Sequence, residues 1–303
     1  MKILITGATG LIGKEIIKQC HSQGIFIHFL TTSKDKLTSE ENEKAFLWDP
    51  SKGAIDLNAF QGVTHIINLA GSTIAQRWTN KNKSGILQSR LDSIHTLQKG
   101  IKQLDGHSIS YFLGASAIGY YPSNFTTDYA SDWSLDQESD SFLRKTVLAW
   151  EAANQSMVSL GLKLGQLRIG LVLDHKAGAL PQFVAPIKNF VGAAFGSGQQ
   201  WQSWIHKEDI ARMFVFLCKN ESEGIFNGVA PSPVTQNELV SAIAKQLNRP
   251  IVLPNIPAFA ISLMLGEMAQ LVLESQKVQS DQWHDLGFKF LFPSLAQALK
   301  DLL

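Results

Sequence analysis

The chain has few cysteines, few charged side chains and no excess charge of either sign. Its two cysteines, Cys20 and Cys218, lack the spacing of a disulfide framework, and neither they nor the histidines show metal-ligand spacing. We therefore predict no metal, and two buried thiols in a reducing compartment. Because 27 basic and 26 acidic residues leave a net charge of +1, the balance predicts binding neither to nucleic acid nor to an anionic membrane.

The sequence also lacks a long uninterrupted apolar run. Near the N-terminus the run stops at Thr6, shorter than the ~7 to 15 residues of a signal peptide core. Residues 256–273 approach the length of a membrane helix, but they contain Glu267, and a central acid costs ~3 kcal/mol on insertion. We therefore expect a soluble, cytoplasmic protein. The 256–273 segment is expected to be buried or to face a partner, for which a homodimer is the first candidate.

Apolar β-branched runs alternate with helical patterns through the first half of the chain. Strands are predicted at residues 2–6, 25–31, 45–48, 63–70, 110–115 and 163–173. Helices are predicted at residues 11–23, 84–103 and 142–160. This alternation is typical of the α/β class and predicts a Rossmann-type, doubly wound parallel sheet.

Glycines and prolines interrupt the pattern after residue 174. We predict a dinucleotide-binding Rossmann domain over residues 1–175, to which residues 205–228 return through a helix and a strand. Residues 176–204 and 229–303 are then expected to form a smaller, mixed α/β C-terminal domain that shapes a substrate site.

A glycine-rich turn separates the first predicted strand from the first predicted helix. Gly7, Gly10 and Gly13 have GxxGxxG spacing, and this context allows backbone N–H groups to approach a pyrophosphate. The alternative is a tight turn without a ligand. The predicted cofactor contacts in this turn are Gly7, Thr9, Gly10, Leu11, Ile12 and Gly13.

The end of the second predicted strand indicates which dinucleotide is bound. An acid there would accept hydrogen bonds from a ribose diol, whereas hydroxyl and basic groups would suit a 2′-phosphate. No acid precedes Asp35, so NADP(H) is favoured over NAD. The alternative is a solvated turn. The predicted contacts with the phosphate are Thr31, Thr32, Ser33 and Lys34.

Several further motifs occur in order along nearly the whole chain. They include Asn68-Leu69-Ala70-Gly71, Ser89-Arg90-Leu91, Gly114-Ala115-Ser116-Ala117, Trp150-Glu151, Leu167-Arg168-Ile169-Gly170 and Ser203-Trp204-Ile205-His206. With the glycine turn, they resemble the atypical, extended short-chain dehydrogenases/reductases of the NAD-dependent epimerase/dehydratase type. That family is often labelled nucleoside-diphosphate-sugar epimerase.

The resemblance implies that an extended Rossmann domain binds NADP(H) and that a small C-terminal domain closes a substrate cleft. It places Leu69, Ala70 and Gly71 beside the adenine and ribose, and Arg90 within reach of the cofactor. A surface position on its helix is the alternative for Arg90. An Ala-Gly strand end agrees with close backbone approach to a ligand.

The resemblance also implies a tyrosine and a lysine, spaced YxxxK, that exchange a proton, and a serine that orients the substrate oxygen. Ser116 is the predicted serine. Alignment of the family's helix acid with Glu151 puts Leu143 and Val147 in the tyrosine and lysine positions, so the usual pair is absent. We expect Tyr120 or Tyr121 to donate the proton instead, the alternative being two aromatic side chains that line the cleft.

A second departure concerns the substrate. The resemblance implies an arginine that binds a substrate diphosphate, but Gln202 occupies its position. Phe195, Trp201 and Trp204 then predict an aromatic cleft for a less charged molecule, or packing between domains. Two further polar residues are read as structural: Arg168 as a charge that must have a partner if it is buried, and His206 as a residue that caps or packs the start of the helix ending at Lys219.

Two functions remain open at this point. The first is an NADP(H)-binding, epimerase-like oxidoreductase that transfers hydride to or from a small organic substrate. The alternative is an NADP(H)-binding sensor or regulatory protein without catalysis, which the missing YxxxK pair favours.

Overall fold

The computed structural model describes residues 1–134 and 141–303. Its strands are β1 (Lys2–Thr6), β2 (Phe26–Thr31), β3 (Ser39–Glu40), β4 (Glu43–Asp49), β5 (Ala54–Ile55), β6 (His65–Asn68), β7 (Tyr111–Ala117), β8 (Asp128–Tyr129), β9 (Lys163–Ile169), β10 (Leu171–Leu173), β11 (Trp201–Gln202), β12 (Trp204–His206), β13 (Gly224–Gly228), β14 (Val234–Thr235) and β15 (Lys277–Val278). Its α-helices are α1 (Leu11–Ser22), α2 (Asn80–Lys102), α3 (Phe142–Gln155), α4 (Leu180–Lys188), α5 (Lys207–Asn220), α6 (Gln236–Gln246), α7 (Ala258–Leu265), α8 (Gln270–Leu273), α9 (Gln282–Asp285) and α10 (Leu295–Leu302).

Within the described residues a nine-stranded sheet forms the centre of the fold. Its order is β13-β9-β7-β6-β1-β2-β4-β3, with β5 also paired to β4. All neighbours from β13 to β4 are parallel, whereas β3 and β5 run antiparallel to β4. Helices flank the sheet, with α1 packed against α5 and α2 against α3. The predicted Rossmann-type α/β fold is therefore confirmed.

The central strands are apolar along their length because both faces of the sheet are covered. Ile3, Leu4 and Ile5 of β1 are fully buried, as are Ile66 and Ile67 of β6. A parallel sheet buried on both faces needs such continuous apolar runs. Their carboxyl ends meet at one edge of the sheet, where open α/β folds bind ligands.

The predicted strand at residues 163–173 is two strands. β9 belongs to the central sheet, whereas β10 leaves it and pairs in parallel with β12. The break falls at Gly170, where a Cβ atom would collide with the carbonyl oxygen of Ser203. Residues 224–228 form β13, which pairs with β9 at one end of the sheet. The division into two domains at the boundaries given above stays a prediction.

The apolar segment at residues 256–273 is a broken helical region. It contains α7, a short 3₁₀ turn and α8, and the break follows Gly266, whose φ is +60°. Three side chains of α7 remain largely exposed, namely Phe259, Leu263 and Met264. Across residues 1–134 and 141–303, no helix has the length and apolar character needed to cross a membrane.

Candidate cofactor and substrate site

The glycine turn between β1 and α1 has a shape that side chains would disturb. Gly7 has a φ of +67°, and a Cβ atom on it would lie 3.0 Å from the carbonyl carbon and oxygen of Leu69. A Cβ atom on Gly13 would lie 2.6 Å from the Cα atom of Ala8. Gly10 caps α1 without a side-chain hydrogen bond. The first N–H groups of α1 are therefore suited to an anionic ligand.

A hydrogen-bonded threonine fixes the strand ends beneath this turn. The Thr6 hydroxyl donates to Asn68 Oδ1 at 2.6 Å and accepts from the N–H groups of Leu69 and Ala70 at 3.1 and 3.0 Å. These bonds hold the end of β6 against the end of β1. Sequence reasoning missed Thr6, because its role depends on pairing between two strands distant in sequence.

A cavity of about 580 Å³, which we call the turn cavity, opens beside the glycine turn. It is lined by six of the predicted cofactor residues, which are Gly7, Thr9, Thr31, Thr32, Ala70 and Gly71. Gly10, Leu11, Ile12 and Gly13 instead belong to the turn and to α1, and Leu69 lies under the turn. Ser33 and Lys34 do not line the turn cavity. Its lining also includes residues that the sequence did not suggest, such as Lys36, Trp48, Asp49 and Gln88.

The positive charge at the turn cavity comes from Lys36 and not from the predicted Lys34. Lys36 Nζ donates to Thr9 Oγ1 at 3.4 Å, which joins the short turn after β2 to the glycine turn. The N–H group of Ser33 donates to Thr31 Oγ1 at 3.2 Å, so Ser33 helps to shape this turn. The only sequence signal for Lys36 was its position just after the predicted cluster.

A second cavity of about 270 Å³, which we call the cleft, lies at the carboxyl ends of β7 and β9. Ala117, Ile118 and Gly119 form one side, and α3 contributes apolar side chains. The segments 201–203 and 270–276 close the other side. Of the predicted site residues, Arg90, Trp201 and Gln202 line this cleft.

Arg90 lies where the two cavities adjoin. Its Nη1 donates to the carbonyl oxygens of Ile86 and Ser72 at 2.8 and 3.3 Å, and its guanidinium carbon lies 4.9 Å from the centre of a Trp150 ring. Burial lowers the pKa of Arg90 to about 10. A Cβ atom on Gly71 would lie 3.1 Å from Arg90 Cγ. Gly71 thus gives this side chain room beside the turn cavity.

Ser116 is part of a buried ionic network. Its hydroxyl donates to Glu151 Oε1 at 2.6 Å, and Arg168 binds both oxygens of the same carboxylate, with Nε at 2.8 Å and Nη2 at 2.9 Å. Arg168 therefore has the partner expected of a buried charge. Ser116 is 1% exposed and lies outside the cleft lining.

The two tyrosines that follow Ser116 surround Arg168. The Tyr121 hydroxyl accepts from Arg168 Nη1 at 3.0 Å and lies 2.7 Å from Asn227 Oδ1. The guanidinium carbon of Arg168 lies 3.3 Å from the centre of the Tyr120 ring. Burial raises the pKa of Tyr121, which makes proton release harder. The structure therefore places both tyrosines around Arg168 and neither of them along the cleft.

Two of the four predicted cleft residues, Trp204 and the partly buried Phe195, do not line the cleft. Trp204 is fully buried on β12, and its Nε1 donates to the carbonyl oxygen of Ser232 at 2.8 Å. Phe195 packs on Phe183, with 5.9 Å between ring centres. Strand pairing turns Trp204 inward, which the sequence pattern does not show. His206 caps α5, because its Nδ1 accepts from the N–H group of Glu208 at 3.2 Å.

The comparisons with known proteins agree with this geometry. Residues 3–228 match the family model described as the NAD dependent epimerase/dehydratase family, and residues 256–302 match a domain of unknown function. The chain belongs to the NAD dependent epimerase/dehydratase family. The resemblance predicted from the sequence is therefore confirmed.

Relatives within this epimerase family match over nearly their full length. An epimerase family protein of Staphylococcus aureus (strain N315) is 33% identical, over 99% of this chain and 98% of the relative. Epimerase family protein YfhF of Bacillus subtilis (strain 168) is also 33% identical, over 100% and 98%. The crystal structure of human epimerase family protein SDR39U1 (isoform 2) with NADPH has a TM-score of 0.83, with 26% identity and coverage of 100% and 99%.

In this member of the epimerase family, apolar side chains occupy the two positions of the YxxxK pair, as placed by aligning the family's helix acid with Glu151. Leu143 and Val147 both line the cleft. Two polar atoms of the cleft lining, Trp150 Nε1 and Gln270 Oε1, are buried without a hydrogen-bond partner among residues 1–134 and 141–303. One donor and one acceptor beside the cleft thus have no partner among the described residues.

Proposed function

We propose that this chain is an NADP(H)-dependent oxidoreductase that acts on a small, uncharged organic molecule. One observation carries the proposal. The turn cavity and the cleft adjoin at Gly71 and Arg90, along the carboxyl edge of the sheet. An extended dinucleotide with a reactive ring at one end suits two cavities arranged in this way.

The groups at the turn cavity fit an adenosine that carries a 2′-phosphate. Thr9, Thr32 and Lys36 supply two hydroxyls and a cation, and no acid ends β2. The carboxylate of Asp49 also lines this cavity, but it accepts from Ser51 Oγ at 2.6 Å and pairs with Lys52 at 3.0 Å. The human relative, whose structure contains NADPH, supports the choice of NADP(H) over NAD.

The cleft fits the nicotinamide half and a substrate. NADPH supplies a hydride when it is bound. The Trp150 N–H group would donate a hydrogen bond to the carboxamide oxygen of the ring, and Ile118, Leu143 and Val147 would exclude water from the reacting atoms. Arg90 Nη1 already donates to two backbone carbonyl oxygens, so fewer of its N–H groups are free to bind a substrate diphosphate.

A second candidate, an NADP(H) sensor without catalysis, is favoured by Leu143 and Val147. Neither side chain can exchange a proton, and both stand at the positions where the family resemblance implies the YxxxK pair. The two candidates share the turn cavity and differ only in what happens in the cleft.

Consumption of NADPH separates the two candidates. The purified chain is mixed with NADPH and a panel of uncharged aldehydes, ketones and quinones, and the loss of NADPH absorbance is recorded. We expect turnover with at least one carbonyl and little with NADH. Tight binding of NADPH without turnover on any member of the panel would overturn the oxidoreductase and support the sensor.

A further inference from the structure

The cleft lacks the tyrosine and lysine that the family resemblance implies for proton exchange. Few of the side chains that line it could exchange a proton in their place. Among the described residues that line it, two carry a titratable side chain, Arg90 and Glu274. Arg90 donates to backbone carbonyls and holds its proton at neutral pH. The hydroxyls of Thr146 and Ser203 donate to the carbonyl oxygens of Phe142 and Gln276. Glu274 is therefore the lining side chain best able to exchange a proton.

Glu274 lies in surroundings that disfavour its charged form. It is partly buried between the cleft and a neighbouring cavity that is also about 270 Å³. Oε2 accepts from Gln276 Nε2 at 3.0 Å, and Oε1 accepts from Ser141 Oγ at 3.4 Å. Burial raises the pKa of Glu274. General acids in enzymes are tuned upward in this way.

The charged groups on neighbouring elements are engaged elsewhere. Lys277, on the strand that follows, pairs with Asp128 at 2.9 Å, and Glu267, on the preceding turn, pairs with Lys83 at 2.8 Å. Arg90 lines the same cleft and donates to backbone carbonyls. Within residues 1–134 and 141–303, the partners described for Lys277, Glu267 and Arg90 do not include Glu274. Arg144 and Lys145, on α3, each have an interaction of their own.

We propose that the Glu274 carboxyl is the catalytic group that exchanges a proton with the substrate oxygen in the cleft. This inference rests on the proposed function. In reduction, the carbonyl oxygen takes the carboxyl proton while the carbonyl carbon takes the hydride that NADPH supplies, which yields an alcohol and a Glu274 carboxylate. The carboxylate then regains a proton from water. Oxidation of an alcohol reverses these transfers.

The proposed role of Glu274 also predicts the chemical class of the substrate. The Glu274 carboxyl repels an uncharged carbonyl compound in neither protonation state, whereas a phosphate or carboxylate substrate would bring a negative charge beside it once it ionises. Apolar Ile118, Leu143 and Leu271 suit an apolar body next to the reacting carbonyl. Apolar aldehydes and ketones are therefore the expected substrates.

The first test uses binding and needs no substrate. NADP⁺ carries a positive nicotinamide ring that NADPH lacks, so the ratio of their dissociation constants reports charge near the ring and cancels effects on the shared adenosine half. In the wild type, we expect the affinity for NADP⁺ relative to NADPH to rise roughly fivefold between about pH 4 and pH 8, as Glu274 ionises. Glu274→Gln should give a flat profile.

Two variants make this result specific to Glu274. Glu267→Gln removes the same charge from the same segment at a surface ion pair and should keep the wild-type profile. Gln276→Met removes the amide that donates to the carboxylate and should move the profile to higher pH. A flat wild-type profile, or a profile that survives in Glu274→Gln, overturns the proposal even if another variant folds poorly.

The second test uses turnover. For a carbonyl that the wild type reduces, Glu274→Gln should lower kcat by at least about 100-fold and change KM little. Equal kcat in this variant overturns the assignment while the oxidoreductase stands. If the wild type binds neither NADPH nor NADP⁺, the proposed function itself is overturned and the assignment of Glu274 with it.

Discussion

At the scale of single residues, the glycine turn depends on steric space as much as on backbone conformation. Gly7 and Gly24 have nearly equal φ angles of +67° and +65°. A Cβ atom on Gly7 would meet Leu69, whereas a Cβ atom on Gly24 would meet nothing within 4 Å. A side chain at either position would strain the backbone, but only a side chain at Gly7 would also crowd the cofactor turn. Comparison of the two positions therefore separates these effects.

Substitution of these glycines by alanine should give different results. Each variant should lose about 1 kcal/mol or more of unfolding free energy, because a positive φ is strained for a side chain. Gly7→Ala should in addition weaken NADPH binding at least tenfold, whereas Gly24→Ala should bind as the wild type does. Calorimetric titration of both variants measures this, and normal NADPH affinity in Gly7→Ala would contradict the role of the turn.

The ion pair of Glu151 and Arg168 belongs to the same scale. Glu151→Gln leaves a buried guanidinium without its counter-charge, so we expect a loss of about 3 to 5 kcal/mol of unfolding free energy. The matched control Glu267→Gln opens a surface pair and should cost less than about 1 kcal/mol. Urea denaturation compares them, and similar losses in both variants would show that burial of the network matters little.

Side-chain direction separates the residues that could be predicted from those that could not. Gly7, Thr9 and Gly71 follow from local backbone requirements, which adjacent sequence expresses. Trp204 and Tyr121 turn into the core because distant strands and Arg168 pack on them. Glu274 follows directly after the apolar segment 256–273 and gave no signal of a role at the cleft.

At the scale of elements, we propose that the turn after β2 selects the dinucleotide. Lys34–Lys36 form a short 3₁₀ turn, and this turn directs Lys36 to Thr9. The sequence prediction named Lys34 in this segment, whereas Lys36 is the lysine that lines the turn cavity. The conformation of this three-residue turn determines which lysine faces the turn cavity, and the amino-acid composition of the segment does not predict that conformation.

Replacement of each of the two lysines by alanine tests the role of this turn. Lys36→Ala should weaken NADPH binding about tenfold and leave NADH binding unchanged, because one charge on the 2′-phosphate is lost. Lys34→Ala removes the same charge from a side chain outside the turn cavity and should change neither affinity by more than about twofold. Fluorescence titration measures both, and the reverse order would return the site to Lys34.

The strands of the sheet were predictable because buried parallel strands are continuous apolar runs. Residues 2–6 are strand in the prediction and in the structure alike. The predicted strand 163–173 was too long because Gly170 lies where the chain passes Ser203, a contact between segments distant in sequence. Periodicity describes one segment at a time and does not report such a contact.

At the scale of the whole molecule, the exposed face of α7 bears on assembly. Phe259, Leu263 and Met264 are 76%, 87% and 75% exposed. Large exposed apolar side chains on one helix are typical of an interaction surface. A homodimer through this face stays a prediction from the sequence.

Sedimentation of the wild type and of Leu263→Glu tests that prediction. A dimer in the wild type and a monomer in Leu263→Glu are expected, because the charge would be buried in a two-fold interface. Ser262→Glu adds the same charge at the adjacent position of α7 and measures how far the effect depends on the apolar face. A wild-type monomer at all accessible concentrations would exclude the dimer.

The glycine turn, the turn after β2 and the C-terminal segment together form the two cavities along the carboxyl edge of the sheet. The most direct test is calorimetric titration of the wild-type chain with NADPH and, separately, with NADH. We expect saturable binding of one NADPH per chain, with an affinity at least about tenfold higher than that for NADH. No binding of either dinucleotide, or tighter binding of NADH, would contradict an NADP(H) site at the turn cavity.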